Sequence, residues 1–200
     1  MNEFFIGLKE AIVNTPLLEW IAVFTGVAYV ILAAKKSIWC WSFAMISSTI
    51  FVYLCFDAQL YIEAALQLFY VAMAVIGWWM WNKAKNDRQF IVTWPISSHL
   101  INIVASLIVS FTLGFILDTY TDQAQPYADS FTTIFSLAAT FMVTKRVLNN
   151  WLYWIVIDLV SVHLYYSRGL ELSSVLYIVF TILAIFAWLN WKKQYKLQTE

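Results

Sequence analysis

Trp151, Trp154, Asp158 and Tyr165 follow one another at spacings of three, four and seven residues. That places them on one face of a single helix. Two indoles and a phenol beside a carboxylate suit a flat cationic ring, through stacking, cation–π attraction and charge pairing. Asp158 stands in the middle of an apolar run, where a carboxylate is costly unless it faces protein or water. A helix-packing hydrogen bond is the plainer reading of such a residue; its aromatic company favours a ligand contact. A second face carries Glu63, Gln67, Tyr70 and Ala74 at spacings of four, three and four. Gln67 is deep enough to hydrogen-bond a hydroxyl or amide. Glu63 is nearer the end of its run, where a solvated carboxylate and a binding one are both open.

Other chemistries lack their residues. There is no His-Glu-x-x-His zinc motif, no phosphate-cradling glycine loop and no nucleophile elbow. The reading is therefore neither an enzyme nor a holder of cofactor or metal. A formal net charge of zero gives no bias towards nucleic acid. Cys40 and Cys55 sit in apolar runs and read as small apolar filler. His163 reads as a hydrogen-bonded packing residue and His99 as interfacial, while Ser47, Ser48 and Thr49 suit hydrogen bonds between helices.

The elements that must hold these residues are membrane helices. Hydrophobic residues make up 62% of the chain and charged residues 12%, against about 25% charged in an average soluble domain. Seven apolar runs are long enough to span: 17–34, 38–56, 60–81, 97–117, 128–143, 151–167 and 172–191. None alternates as a barrel strand would. Residues 1–15, with Phe4, Phe5, Ile6, Leu8, Ile12 and Val13 among a few charges, read as a short interfacial helix. No cleavable signal is expected, the first span serving as its own insertion signal.

The spans repeat at an offset of 110 residues without a gap. Trp41, Trp78 and Trp81 map onto Trp151, Trp188 and Trp191, Lys35-Lys36 onto Lys145-Arg146, Leu60 onto Leu170, and Glu19 onto Asp129. The expected organisation is an N-terminal interfacial segment (1–16), a three-helix repeat (17–81), a linker with the fourth helix (82–127), a second three-helix repeat (128–191) and a cytoplasmic tail (192–200). Corresponding spans lie four helices apart, an even number, so the repeats run parallel, about an axis along the membrane normal. The fold class is thus an all-α membrane protein of seven helices, three plus one plus three. A pathway can form between two such halves, which points to transport.

Charge orients it. Lys35, Lys36, Lys83, Lys85, Arg88, Lys145, Arg146, Lys192, Lys193 and Lys196 fall on one set of loops, leaving Lys9 and Arg168 on the other. The positive-inside rule then puts the N-terminus outside and the C-terminus in the cytoplasm.

The repeats diverge where a ligand would be read: Gln67 pairs with Tyr177 and Ser48 with Asp158. Most other tryptophans (Trp39, Trp41, Trp78, Trp79, Trp81, Trp94, Trp191) cluster at span ends and read as an interfacial belt. Trp188, one turn inside Trp191, stands as a candidate exception.

Leu66-Gln67-Leu68-Phe69-Tyr70 through Gly77-Trp78-Trp79-Met80-Trp81, with Leu60-Tyr61 before it, resembles the third core helix of the PnuC-like Pnu vitamin transporter family. Thr144-Lys145-Arg146, Asn150-Trp151-Leu152-Tyr153-Trp154, Asp158-Leu159-Val160-Ser161 and Ser167-Arg168-Gly169-Leu170 resemble that family's sixth core helix and its flanks, and Leu176-Tyr177 continues the match. The resemblance runs from about Leu18 to Trp191. It implies a SWEET-like fold, a homotrimer in a bacterial inner membrane, and facilitated diffusion of a water-soluble vitamin made directional by a cytoplasmic kinase. It carries ligand contacts to Gln67, Trp151, Trp154 and Asp158, with Asn150 as a contact or a helix cap. Some members have Asn at the position of Asp158, and some have an extra N-terminal span.

Nicotinamide riboside and thiamine both present a cationic ring to such a face, and the first is favoured on family frequency. Riboflavin is uncharged and larger. Phosphorylated forms lack an intramembrane Arg or Lys to pair with. Glu63, Asp158 and His163 leave an ion-coupled symporter open, ranked below uniport. A structural membrane subunit is the rival of another class, although it would not need Trp151, Trp154 and Asp158 on one face.

Overall fold

The computed structural model describes residues 2–57, 61–84 and 90–200, with side chains from residue 7 onward except at 61 and 62. Leu60 of the repeat, Lys85 and Arg88 of the basic loops, and the side chains of Phe4, Phe5 and Ile6 lie outside the described residues. Eight helices form among those described: α1 (Asn2–Asn14), α2 (Leu17–Ala34), α3 (Cys40–Asp57), α4 (Tyr61–Lys83), α5 (Ile96–Tyr120), α6 (Pro126–Thr144), α7 (Asn150–Ser167) and α8 (Glu171–Thr199). Proline marks several starts, with Pro16 and Pro95 just before α2 and α5 and Pro126 opening α6. Its fixed φ and missing N–H cost nothing there.

The 110-residue offset recurs in the backbone. The helices α3 and α7 begin at Cys40 and Asn150, and α4 and α8 at Tyr61 and Glu171. After α2, the Lys36 N–H bonds Ala33 O at 2.9 Å and the Ser37 N–H bonds Leu32 O at 2.9 Å. After α6, Arg146 bonds Val143 O at 2.9 Å and Val147 bonds Met142 O at 3.0 Å. Both are Schellman turns. Each puts a basic residue, not glycine, in the left-handed region, with φ 57° at Lys36 and 62° at Arg146. That conformation costs an L-residue about 1–2 kcal/mol, so something must reward it.

Six helices close a ring. Each of α2, α3, α4, α6, α7 and α8 packs on the next, and α8 returns to α2. The two joints between the repeats, α4 on α6 and α8 on α2, are themselves related by the offset. Outside the ring, α1 packs on α8 and α5 packs on α6. Ser106, Ser110 and Gly114 are buried at four-residue spacing on α5; such small residues let two helix backbones approach. A Cβ on Gly114 would meet the Tyr127 ring at 2.6 Å.

By length and apolarity, five helices qualify to cross a membrane: α2, α3, α4, α5 and α8. The runs at 128–143 and 151–167, read from sequence as spans, form α6 and α7 but do not qualify. Their positions explain it. Ser130, Ser136, Thr140 and Thr144 of α6 are buried, as are Asn150, Asp158 and Ser161 of α7, so these helices carry polar faces that pack against protein. The residues expected as a tail are helical too, since α8 continues to Thr199.

Candidate functional site

The ring can be followed from its basic end inward. There the indoles of Trp41, Trp81, Trp151 and Trp191 are at most 3% exposed. Trp41 meets Trp81 edge-on at 5.3 Å, Trp151 meets Trp191 edge-on at 5.5 Å, and Trp81 and Trp191 touch at 6.1 Å. The Trp81 N–H donates to Val143 O at 3.2 Å and the Trp191 N–H to Ala33 O at 3.1 Å. Ala33 and Val143 are offset partners, so the two bonds are one bond drawn twice between the repeats. The belt reading is therefore corrected for Trp41, Trp81 and Trp191. For Trp81 and Trp191 the reason is the acceptor that a span-end indole needs, for which helix-end carbonyls compete with interfacial water; Trp41 is buried by packing against Trp81. Trp39 and Trp79, 62% and 64% exposed, remain on the outside.

Trp154 is half-buried on α7, packed against Phe135, Ala139 and Ile157. One turn further, Asp158 is 3% exposed. Among the described residues no hydrogen bond or ion pair reaches its carboxylate. Trp151, Trp154, Asp158 and Tyr165 do share the inward face of α7, while Leu152, Val156, Leu159, His163 and Tyr166 are exposed. His163 is thus no packing residue, because the turn of α7 carries it outward; Thr49 likewise faces out of α3.

A phenolic layer lies beyond Asp158. Tyr177 of α8 stacks on Tyr165 of α7 at 5.0 Å and 14°, within electrostatic range of Asp158 and Tyr70. Tyr70 of α4 lies beside Ser136 of α6 and in range of Tyr165. Tyr29 of α2, near Tyr70 and Cys40, tilts onto Trp41 at 6.0 Å. Gln67 is half-buried one turn from Tyr70, and Glu63 is exposed at the start of α4. Trp188 lies at the basic end with Lys192 Nζ 4.6 Å from its ring centroid, eleven residues along α8 from Tyr177. The structure thus brings Asp158, Tyr177 and Tyr70 together with Trp154 adjoining, leaves Glu63 exposed but in range of Tyr165, and sets Trp151 and Trp188 in other layers.

The other polar residues hold the frame. Ser47 Oγ donates to Ala22 O at 2.8 Å, binding α3 to α2. Asn150, fully buried at the start of α7, donates to Val147 O at 2.6 Å and so fastens the turn before the helix rather than capping it, since a cap accepts through its side-chain oxygen. His99 joins α5 to α7 through Tyr153 at 3.1 Å and Asn149 at 3.3 Å. Cys40 and Cys55 are free thiols. Tyr29 and Ser136 were missed as site residues. The signal was available, since the offset pairs Tyr29 with Ala139 and Ser136 with Gly26, the same divergence that marks Asp158.

A family model described as nicotinamide mononucleotide transporter matches residues 16–193. The chain is 23% identical over 217 residues to the nicotinamide riboside transporter PnuC of Escherichia coli (strain K12), covering 90% of this chain and 91% of that protein. It is 22% identical over 173 residues to the riboflavin/roseoflavin transporter RibM of Streptomyces davaonensis, covering 83% and 80%. Its fold matches the crystal structure of the vitamin B3 transporter PnuC with a TM-score of 0.76 at 23% identity, across 98% of this chain and 89% of that one. With nearly its whole length inside the family model, this chain belongs to the nicotinamide mononucleotide transporter (PnuC) family of multi-pass membrane transporters.

Proposed function

We propose that this protein carries nicotinamide riboside by facilitated diffusion through the six-helix ring, with a cytoplasmic kinase trapping the product. The observation that carries the reading is Asp158, a buried carboxylate beside Tyr177 with no hydrogen-bond or ion-pair partner among the described residues. A buried charge is retained at a cost, and a cationic ring supplies what it lacks. Trp154 offers the ring an aromatic face, and Gln67 an amide partner. The PnuC relatives, named for nicotinamide riboside, support the same choice. The mononucleotide of the family's description fits less well. Among the described residues, Lys and Arg stand only in α1, in turns and at helix ends, so nothing in the ring's middle would pair a phosphate.

In this reading α2–α8 all cross the membrane, as two parallel three-helix repeats with α5 between them. The polar faces of α6 and α7 are tolerated because protein covers them. The basic end is cytoplasmic by the positive-inside rule, the N-terminus is outside, and the assembly is a trimer in a bacterial inner membrane.

The test is a thermal-shift panel on the purified protein with nicotinamide riboside, its mononucleotide, thiamine and riboflavin. Ligand at a hundred times its Kd stabilises by about 2.7 kcal/mol. Nicotinamide riboside should raise the melting temperature; a shift with riboflavin or thiamine alone overturns the assignment. Proteoliposomes with and without a pH or sodium gradient separate the mechanisms, since accumulation above equilibrium rejects uniport for symport.

A further inference from the structure

At the basic end one segment outside the repeats crosses between them. Phe90 stands edge-on against Trp81 at 5.1 Å. Lys36 Nζ lies 5.6 Å and Arg146 Cζ 5.3 Å from the Phe90 centroid. Those are the two left-handed basic residues, offset partners on opposite repeats, so Phe90 lies between the copies. Cation–π contact accounts for why both turns hold a long basic side chain where glycine is the cheaper residue. Burial also pushes the Lys36 ammonium below the usual lysine pKa.

The rest of the segment is tied to the second repeat. The Val92 N–H donates to Arg146 O at 3.1 Å, and the Leu148 N–H to Val92 O at 2.8 Å. Ile91, 1% exposed, exchanges both backbone hydrogen bonds with the Gln198 amide, and Thr93 meets Tyr195 at 3.4 Å. To the first repeat it presents a ring edge against Trp81 and a ring face near the Lys36 ammonium. Backbone bonds on one side and soft contacts on the other define a parting plane.

We propose that the basic end of the ring is a gate. Its latch is the reciprocal pair of indole bonds, and its bolt is the strap 90–94 with Phe90 between the repeats. Opening parts Phe90 from Trp81 and Lys36, breaks Trp81–Val143 and Trp191–Ala33 together with the neighbouring Asn190–Ala34 bond at 2.8 Å, and leaves the strap on the second repeat. Three further indole N–H groups at this end, on Trp41, Trp151 and Trp188, are buried without an acceptor among the described residues. Buried unpaired donors are costly, and opening hydrates them, so the closed end is one of two states rather than a fixed plug.

The gate rests on the ring being the pathway, and its first test needs no substrate. Cys40 is fully buried beside Trp41 in the same cluster. In a Cys55→Ser background, purified protein is treated with a maleimide. Phe90→Ala and Trp191→Phe should each raise the Cys40 labelling rate about tenfold, in the range expected for loss of one such contact. Phe90→Ala protein that melts as the parent does and protects Cys40 equally overturns the gate. If Phe90→Ala fails to fold, a staple replaces it. Lys36→Cys/Phe90→Cys protein, free of its native cysteines, is joined by a short bismaleimide across the parting plane. Nicotinamide riboside uptake should stop on joining; uptake at the unjoined rate overturns the gate. Absent uptake before joining, with Cys40 exposed by Trp191→Phe, would instead count against the substrate while keeping the gate.

Discussion

At the basic end of the ring the tryptophans of the two repeats do the same thing; in its middle the repeats do not. Trp81 and Trp191 exchange equivalent bonds, and Trp41–Trp81 and Trp151–Trp191 are edge-on pairs of nearly equal spacing. Two layers further in, Ser48 stands where the copy has Asp158, Gln67 where it has Tyr177, and Ala44 where it has Trp154. A joint between two parallel halves can be built from one contact used twice. A site for a ligand without two-fold symmetry cannot, because the groups that meet its two sides must differ. Duplication therefore preserves the frame, and in the proposed reading ligand recognition falls in the departures.

The largest effect should come from the sharpest departure. Truncating one partner of a buried charge pair costs about 2–5 kcal/mol, so Asp158→Ala should weaken nicotinamide riboside binding about 30-fold to several thousand-fold by calorimetry. Without ligand the same variant should melt no lower than the parent, because an unpaired buried carboxylate contributes nothing to stability. Moving the carboxylate to the other repeat, as Ser48→Asp/Asp158→Ser, should not restore binding while Gln67 and Tyr177 stay in place. Full recovery in that swap would break the comparison, since the middle would then be two-fold after all.

The repeat, the helices and the inward face of α7 were legible because each rests on spacing, and periodicity survives in one dimension. The burial of Trp41, Trp81 and Trp191 was not. A tryptophan at a span end has the same local sequence whether its N–H meets interfacial water or the carbonyl of a helix far along the chain, and only the ring's closure decides. His163 failed for a related reason, since a single histidine carries no sign of which way its helix is turned. Phe90 and the Gln198 amide gave no signal at all. The strap has no copy to compare with, and all its partners but Trp81 are far along the chain.

Between site and latch stands Gly77. A Cβ there would overlap the Trp41 indole, while its offset partner, Ala187, is a fully buried residue with a Cβ. Gly77→Ala should lower unfolding stability by about 1–3 kcal/mol, as overpacking does. Ala187→Gly should cost only the helical preference for alanine, about 0.5–1 kcal/mol. Equal costs would mean that the two indole pairs are packed alike after all. The latch itself should behave symmetrically. Trp81→Phe and Trp191→Phe each delete one N–H donor and should each cost about 1 kcal/mol. The double variant should depart from additivity, because the two rings touch. Unequal single costs in chemical unfolding would break the reciprocity.

The opposite end of the ring supplies the smallest test, and it separates a shared frame from a private one. Arg168 donates to Asp129 Oδ2 at 2.5 Å, Gln123 reaches the same oxygen at 2.5 Å, and Gln125 donates to Ser167 at 2.7 Å. This fastens the start of α6 to the turn between α7 and α8. The first repeat keeps an acid at Glu19 but has alanine at position 58, where the offset would require the arginine. The ion pair is therefore an addition to one copy, and a partly exposed one, with side chains 27% and 18% exposed. Solvent screens such a pair, so Arg168→Gln should lower stability by at most about 1 kcal/mol. Most of that difference should vanish in about 1 M salt, where the screening length falls to about 3 Å. A loss as large as that of either latch tryptophan, and insensitive to salt, would mean that this mouth is held as firmly as the basic one. The reciprocal indole bonds would then not be what distinguishes the closed end.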